Sequence, residues 1–217
     1  MKLYSTVAGE AHAEQVIEKS RFIAYVSPAQ SREEADAFIA SIRKKHKDAT
    51  HNVPAIVLGE KMQVQWASDD GEPQGTSGAP MVQMLVKEGI TNVAVVVTRY
   101  FGGIKLGTGG LVRAYTSSAK LGLEAAGLCD VEEMSVLTCE VEYSHLAKIQ
   151  NLAGESGAVF AIEDIRYTDV VTLDLSCLPE DTEAVESLLA NLTAGRCIVR
   201  NREIKLVKRP VAHIIKG

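Results

Sequence analysis

A chain of 217 residues suits one large domain or two small ones, and 46% hydrophobic with 24% charged residues is the balance of a folded globular protein. That balance excludes a disordered tail or a collagen-like fibre, and apolar runs such as Val93 to Val97 fall far short of the ~18 residues that span a bilayer. The net charge of −5 disfavours indiscriminate adhesion to polyanions, but it is unevenly spread: residues 1–130 balance, residues 131–195 carry 13 acids against two bases, and residues 196–217 carry seven bases against one acid.

Met1-Lys2-Leu3-Tyr4 leads into charged sequence, so no secretory signal is expected. Four cysteines without CxxC spacing fit a reducing cytoplasm, as small buried hydrophobes. Residues 21–26 read as a strand. Ser31-Arg32-Glu33-Glu34 then has the form of a capping box, and Ala35, Phe38, Ile39 and Ile42 follow at helical spacing. This helix should end in Arg43-Lys44-Lys45-His46-Lys47, whose cations suit the negative end of the helix dipole. Residues 53–58 and 64–66 read as short strands, with Trp66 expected in the core. A helix beginning within residues 75–80 should end near Lys87. Residues 92–98 are a continuous β-branched run, the pattern of a buried central strand. After a glycine-rich turn, a helix from about Leu111 to Ala126 aligns Leu111, Tyr115, Ala119, Leu123 and Ala126 on one stripe.

From residue 131 the pattern changes. Strands are expected at 135–143, 158–166, 170–177 and 196–207, with helices at 144–155, capped by Ser144, and at 180–192 after Pro179. The order βαββαβ is that of a ferredoxin-like plait, so two domains should meet near residues 127–131 without a long linker. The basic chain end either lies against the acidic face or touches phosphate.

Nine of the 17 glycines fall between Gly71 and Gly110, eight of them in two bursts. The first contains Asp69, Asp70, Glu72, Gly75 and Thr76. Three carboxylates in four residues could hold a hard cation or simply stabilise turns; the alternate-acid spacing of a calcium loop is absent, which favours the turn, and neither metal nor cofactor is expected. The second burst, Phe101-Gly102-Gly103-Ile104-Lys105-Leu106-Gly107-Thr108-Gly109-Gly110, runs from the central strand to a helix start, where backbone N–H groups can hold an anion. It satisfies neither standard nucleotide motif: Thr108 stands where a P-loop needs Lys, and Val112 where the dinucleotide fingerprint needs Gly. The other reading is that glycine serves close packing of strand, turn and helix. Arg99, Lys105 and Arg113 flank the turn, and Tyr100 and Phe101 suit either base stacking or the edge of the core. His51 reads as a structural hydrogen-bonder, and Ala79 spoils a hydrolase elbow around Ser77.

DDGEPQGTSGAP and VVVTRYFGGIKLGTGGLVRAY, with Glu18-Lys19-Ser20-Arg21-Phe22-Ile23 upstream, resemble the signatures of the IMPACT family over about residues 18–115. The resemblance implies an α+β protein. Residues 1–130 would form a βα domain of the type shared by a small-subunit ribosomal protein and elongation factor G domain IV. Residues 131–217 would form a plait like that factor's last domain. It carries over Asp69, Asp70, Glu72, Gly75, Thr76, Arg99, Tyr100, Gly102, Gly103, Gly107, Thr108, Gly109 and Gly110 as motif positions, with no catalytic assignment. The expected function is a non-enzymatic cytoplasmic protein of translation, binding RNA, the ribosome or a translation-related protein, away from membranes. Arg99, Lys105 and Arg113 would contact phosphate, extended by the basic strand from Arg196 to Lys208. The alternatives are an enzyme or binder taking a small phosphorylated or nucleotide ligand at the same turn, with Asp69 or Asp70 as cation ligand or base, and a protein-interaction module docking through the plait sheet.

Overall fold

The computed structural model describes residues 2–211, and they form two compact units. One comprises Leu3–Val131 with residues 208–211; the other comprises Glu132–Val207 with Lys2. The first unit is built on a five-stranded sheet of β2 (Ala11–Ile17), β3 (Ser20–Pro28), β6 (Val93–Tyr100), β4 (His51–Leu58) and β5 (Val64–Ala67), in that spatial order. All four pairings are antiparallel. Its central strand is continuously apolar because both faces are covered. Val93, Val95 and Val97 pack with α2 (Gly78–Lys87) and α3 (Gly107–Ala126), whereas Ala94 and Val96 pack with α1 (Arg32–Lys45).

The Ser31 half of the capping box forms as expected, its hydroxyl accepting from the Glu34 amide, whereas the Glu34 carboxylate accepts from the Gln30 amide, one residue before the cap. Ala35, Ile39 and Ile42 are buried, and α1 ends in the basic run. The α3 stripe is buried throughout, and Gly122 lets the sheet approach closely, since a Cβ there would stand 2.9 Å from Ala24 Cβ and from Val26 Cγ2. Trp66 departs from expectation. It is half-buried on edge strand β5, with the Arg32 guanidinium 4.4 Å above its ring, because an edge strand leaves one flank to solvent.

β1 (Lys2–Val7) and β2 have no counterpart in the sequence reading. β2 and β3 form a hairpin turning on Glu18 and Lys19, both at positive φ (45° and 62°), the geometry usually signalled by Asn or Gly. No such residue marks this turn.

The second unit has the predicted βαββαβ order: β7 (Leu128–Val141), α4 (Tyr143–Ala153), β8 (Phe160–Tyr167), β9 (Val171–Cys177), α5 (Thr182–Leu192) and β10 (Ile198–Pro210). Its sheet order is β10-β7-β9-β8, that of the ferredoxin-like plait. Leu137, Cys139, Ile149, Leu173, Leu175 and Leu189 form its core. Ser144 is not the cap of α4; Glu142 holds that position without a side-chain capping bond, and the Ser144 hydroxyl turns to the Glu142 carboxylate. β7 begins at Leu128 rather than 135, its early apolar residues Cys129 and Val131 being interrupted by Asp130, Glu132 and Glu133.

The basic chain end meets acids of its own unit. Arg200 bonds Glu140 at 2.6 Å, Arg202 bonds Glu186 at 2.6 Å, Arg196 reaches Glu142 at 3.3 Å, and Lys205 pairs with Glu203 at 2.7 Å. Lys208 donates to the Val7 carbonyl, and Lys216 lies outside the described residues. Cys129, Cys139 and Cys177 are buried free thiols. Among the described residues no helix is long and apolar enough to cross a membrane.

Candidate functional site

The acidic segment folds into a turn whose carboxylates are engaged in building it. Asp69 accepts from the Ser77 hydroxyl at 2.6 Å and from the amides of Gly75, Ser77 and Gly78. It thereby caps α2, whose own N-cap residue Ser77 makes no side-chain capping bond. Partial burial works to raise the Asp69 pKa, but the bonds from Ser77, Gly75 and Gly78 outweigh it and hold the group below the usual carboxylate range. Asp70 accepts from the Asn52 amide at 2.6 Å and pairs with Arg43 at 3.3 Å. Thr76 closes the turn onto the Pro73 carbonyl, and Gly75 adopts φ +76°. These contacts favour the turn reading of the segment over a cation site.

Glu72 points the other way, into the protein. It is only 8% exposed, and its Oε1 accepts from Arg99 Nη1 at 2.7 Å and from the Tyr115 hydroxyl at 2.7 Å. Burial, reinforced by the adjacent Glu72 charge, pushes the Tyr115 phenol far above its ordinary value, so it remains a donor. Arg99 is 4% exposed, with its guanidinium carbon 5.3 Å from the ring centres of both Phe22 and Phe101. Its Nη2 donates to Ser20, and its Nε–H has no partner. Arg99 is therefore a buried cation balanced by Glu72, not an open flanking charge. His51 Nδ1 lies 2.8 Å from the Asp70 carbonyl, which can only accept, so that nitrogen carries the proton. Its Nε2 lies 3.7 Å from Glu72 Oε1.

The glycine segment divides into two parts. The Phe101 amide donates to Thr50 and the Gly102 amide to Ser20, and a Cβ on Gly102 would stand 2.0 Å from the Lys19 carbonyl. There glycine serves close packing. Gly107, by contrast, opens α3 itself at φ +70°, four residues earlier than the periodicity indicates. The amides of Gly107, Thr108 and Gly109 precede any carbonyl four residues back in the helix, and N-cap residue Leu106 offers no side-chain acceptor. All three residues are exposed.

Parts of both segments line one cleft of about 430 Å³. Its lining combines the polar His51, Glu72, Arg99, Lys105, Gly107, Thr108 and Thr50 with the apolar Pro73, Phe101, Leu106 and Leu111. Tyr100 is elsewhere: it packs with the α1-side core and bonds His46 at 2.9 Å. Arg113 is exposed in a second groove that shares Lys105 and Leu106. Asp69, Asp70, Gly75, Thr76, Gly102, Gly103, Gly109 and Gly110 are not among the lining residues. Thr50 joins the cleft without any local sequence signal; Pro73 and Leu106 sit within the signature segments, and Leu111 and Tyr115 on the apolar stripe of α3, but nothing local marks their place at the site. His51 reaches the cleft because the β4–β6 register sets it opposite Arg99.

The chain matches the Impact N-terminal domain over residues 18–123 and a domain of unknown function, DUF1949, over residues 139–196. It is 40% identical over 211 residues to IMPACT family member YvyE of Bacillus subtilis, covering 97% of this chain and 96% of that one. IMPACT family member YigZ of Escherichia coli is 40% identical over 181 residues, 82% of this chain and 88% of the relative. Protein IMPACT of Mus musculus matches a shorter stretch, 35% identical over 94 residues, 41% of this chain and 29% of that one. A solved structure described as a hypothetical protein aligns with a TM-score of 0.57 at 33% identity, over 92% of this chain and 97% of its own. On motifs, domain order and coverage alike, the chain belongs to the IMPACT family.

Proposed function

We propose that this chain acts in translation by binding RNA, without catalysing a reaction, and that the cleft at the start of α3 holds phosphate. The observation that carries the reading is the convergence of two signature segments on a cleft that includes an exposed, glycine-rich helix start. In the cleft, the amides of Gly107 and Thr108, the Thr108 hydroxyl and the Lys105 ammonium supply donors for phosphate oxygen, and the Gly109 amide adds a third unpartnered donor on the same helix start, outside the lining. Phe101, 46% exposed beside them, supplies a face on which a base can stack.

A binding role is favoured over catalysis because the nearby carboxylates have structural partners: Glu72 with Arg99 and Tyr115, Asp69 with the α2 start, Asp70 with Asn52 and Arg43. The part in translation rests on the resemblance to elongation-factor and ribosomal-protein folds. Arg200, Arg202 and Lys205 of β10 pair with acids, so the proposed surface is confined to the cleft and its Lys105–Arg113 rim. Fluorescence anisotropy with a labelled single-stranded RNA tests the proposal. Binding should be measurable at low salt, weaken as salt rises, and disappear in Gly109→Glu, which places a carboxylate at the helix start. No binding at low salt would overturn it.

A further inference from the structure

We infer that the free edge of β5 takes an extended segment of a partner protein as an added strand, with an acidic residue facing Arg32 between two aliphatic residues facing α2. The backbone sets the first requirement. The Ser68 amide donates to the Pro54 carbonyl, which makes that pair a hydrogen-bonded step continuing the antiparallel β4–β5 ladder. Steps alternate, so Val64 and Trp66 turn their backbone groups to Leu58 and Ile56, whereas Gln65 and Ala67 turn theirs outward. Among the described residues no strand pairs with β5 on that side. The outward N–H and C=O groups of two alternate residues match the backbone of an extended chain. Natural edges are ordinarily blunted by charge, proline or a covering element. The opposite edge of the same sheet, β2, carries the Glu14–Arg21 ion pair and is tied to α3 by Gln15, whose amide bonds Ser117 and Ser118. β5 reads Val-Gln-Trp-Ala, with neither charge nor proline.

The side chains set the second requirement. A groove of about 370 Å³ runs beside this edge, lined by Gln65 and Ala67 of β5 and by Ala79, Val82 and Gln83 of α2. Ala79 is exposed and Val82 half-buried. Ala67 packs with the α2-side core, and strand alternation sets Gln65 on the same face, so residues of an added strand opposite these two would lie against Ala79 and Val82. Aliphatic side chains suit that position. Trp66 faces the other way, against the α1-side core, with the Arg32 guanidinium 4.4 Å above its ring. Arg32 bonds Asp36 through Nε at 2.9 Å, which leaves both Nη groups for a carboxylate on the residue opposite Trp66. A second copy of the chain is a poorer occupant. The antiparallel register that satisfies both outward residues pairs Gln65 with Ala67 of the copy and Trp66 with its equivalent, which brings two Arg32 guanidiniums to one ladder step. It also offers the α2 side only an amide and a methyl group.

NMR titration of the full chain with blocked synthetic heptapeptides tests the inference. One peptide carries Val-Glu-Val at its centre, a second Val-Lys-Val, and a third Val-Glu-Val with both valine nitrogens methylated. The first should shift the Gln65 and Ala67 amide resonances and bind about tenfold more tightly than the second. The third should not bind, because its ladder donors are gone. Arg32→Glu should invert the preference between glutamate and lysine peptides. Ala79→Lys, on the exposed flank of the groove, should abolish binding without changing thermal denaturation. Gly109→Glu should leave peptide binding unchanged, since the groove and the phosphate cleft share no lining residue. Binding that does not distinguish Glu from Lys, shifts confined to residues away from β5 and α2, or silence from all three peptides would overturn the inference. Gln65 and Ala67 amides already protected from hydrogen exchange, with concentration-dependent sedimentation, would overturn it in favour of a second copy.

Discussion

Glu72 and Arg99 are 27 positions apart in a buried pair that also includes Tyr115, and nothing local in the sequence joins them. The acidic turn and the basic strand end are both legible in the primary structure, but their pairing depends on how β4 and β6 align. Breaking a buried ion pair leaves one charge unsatisfied, so Glu72→Gln should lower unfolding stability by about 3 kcal/mol in urea titrations. Adding Arg99→Met to that variant should recover part of the loss, because the stranded cation is removed with its partner. Asp69 gives a pH signature of its own. Its folded pKa is depressed, so its contribution is fully present above the unfolded carboxylate value near 4 and is lost as pH falls through the folded value. Asp69→Asn should therefore cost about 1 kcal/mol at neutral pH, a difference that closes in acid; a constant gap down to pH ~2 would refute the capping role assigned to the charge.

At the scale of elements, apolar periodicity located α3 only from Leu111 because the preceding Gly107, Thr108, Gly109 and Gly110 carry no apolar pattern to read. The same limit hid β2, whose hairpin turns on Glu18 and Lys19 without a glycine, and the first half of β7, where charges alternate with buried residues. α1 was legible because its cap, its stripe and its basic end agree. This view of α3 separates stability from binding. Gly109 has no positive φ, and a Cβ there meets only Arg113 Nη1 at 3.6 Å. Gly109→Glu should thus raise stability by about 1 kcal/mol, through better helix propensity and an acid near the positive end, while removing phosphate binding. Gly122→Ala, on the packed face, should instead cost about 1–3 kcal/mol by overfilling the contact with Ala24 and Val26. Thermal denaturation of the two variants beside the wild type distinguishes these directions.

The charge of the whole molecule decides how the proposed RNA binding should respond to salt. A protein of net charge −5 with Arg200 and Arg202 of β10 paired to carboxylates has little general attraction for a polyanion, so affinity must come from a few local contacts. If Lys105, Arg113 and the α3 start are the phosphate-facing charges, as proposed, two to three phosphates would be engaged. Single-stranded RNA releases counterions with a slope of about −0.7 per phosphate, which gives a logarithmic salt dependence of roughly −1.5 to −2. Lys105→Ala should flatten that slope by about 0.7, whereas Arg200→Glu on β10 should leave both slope and affinity unchanged. Anisotropy titrations across a salt series measure each quantity. A slope steeper than about −4, or a loss of affinity in Arg200→Glu, would return the basic strand to the binding surface and show that its carboxylate pairs yield to phosphate. A shallow slope carried by Lys105 would confine recognition to the cleft, where a helix start and a few local cations draw an anion to an otherwise acidic protein.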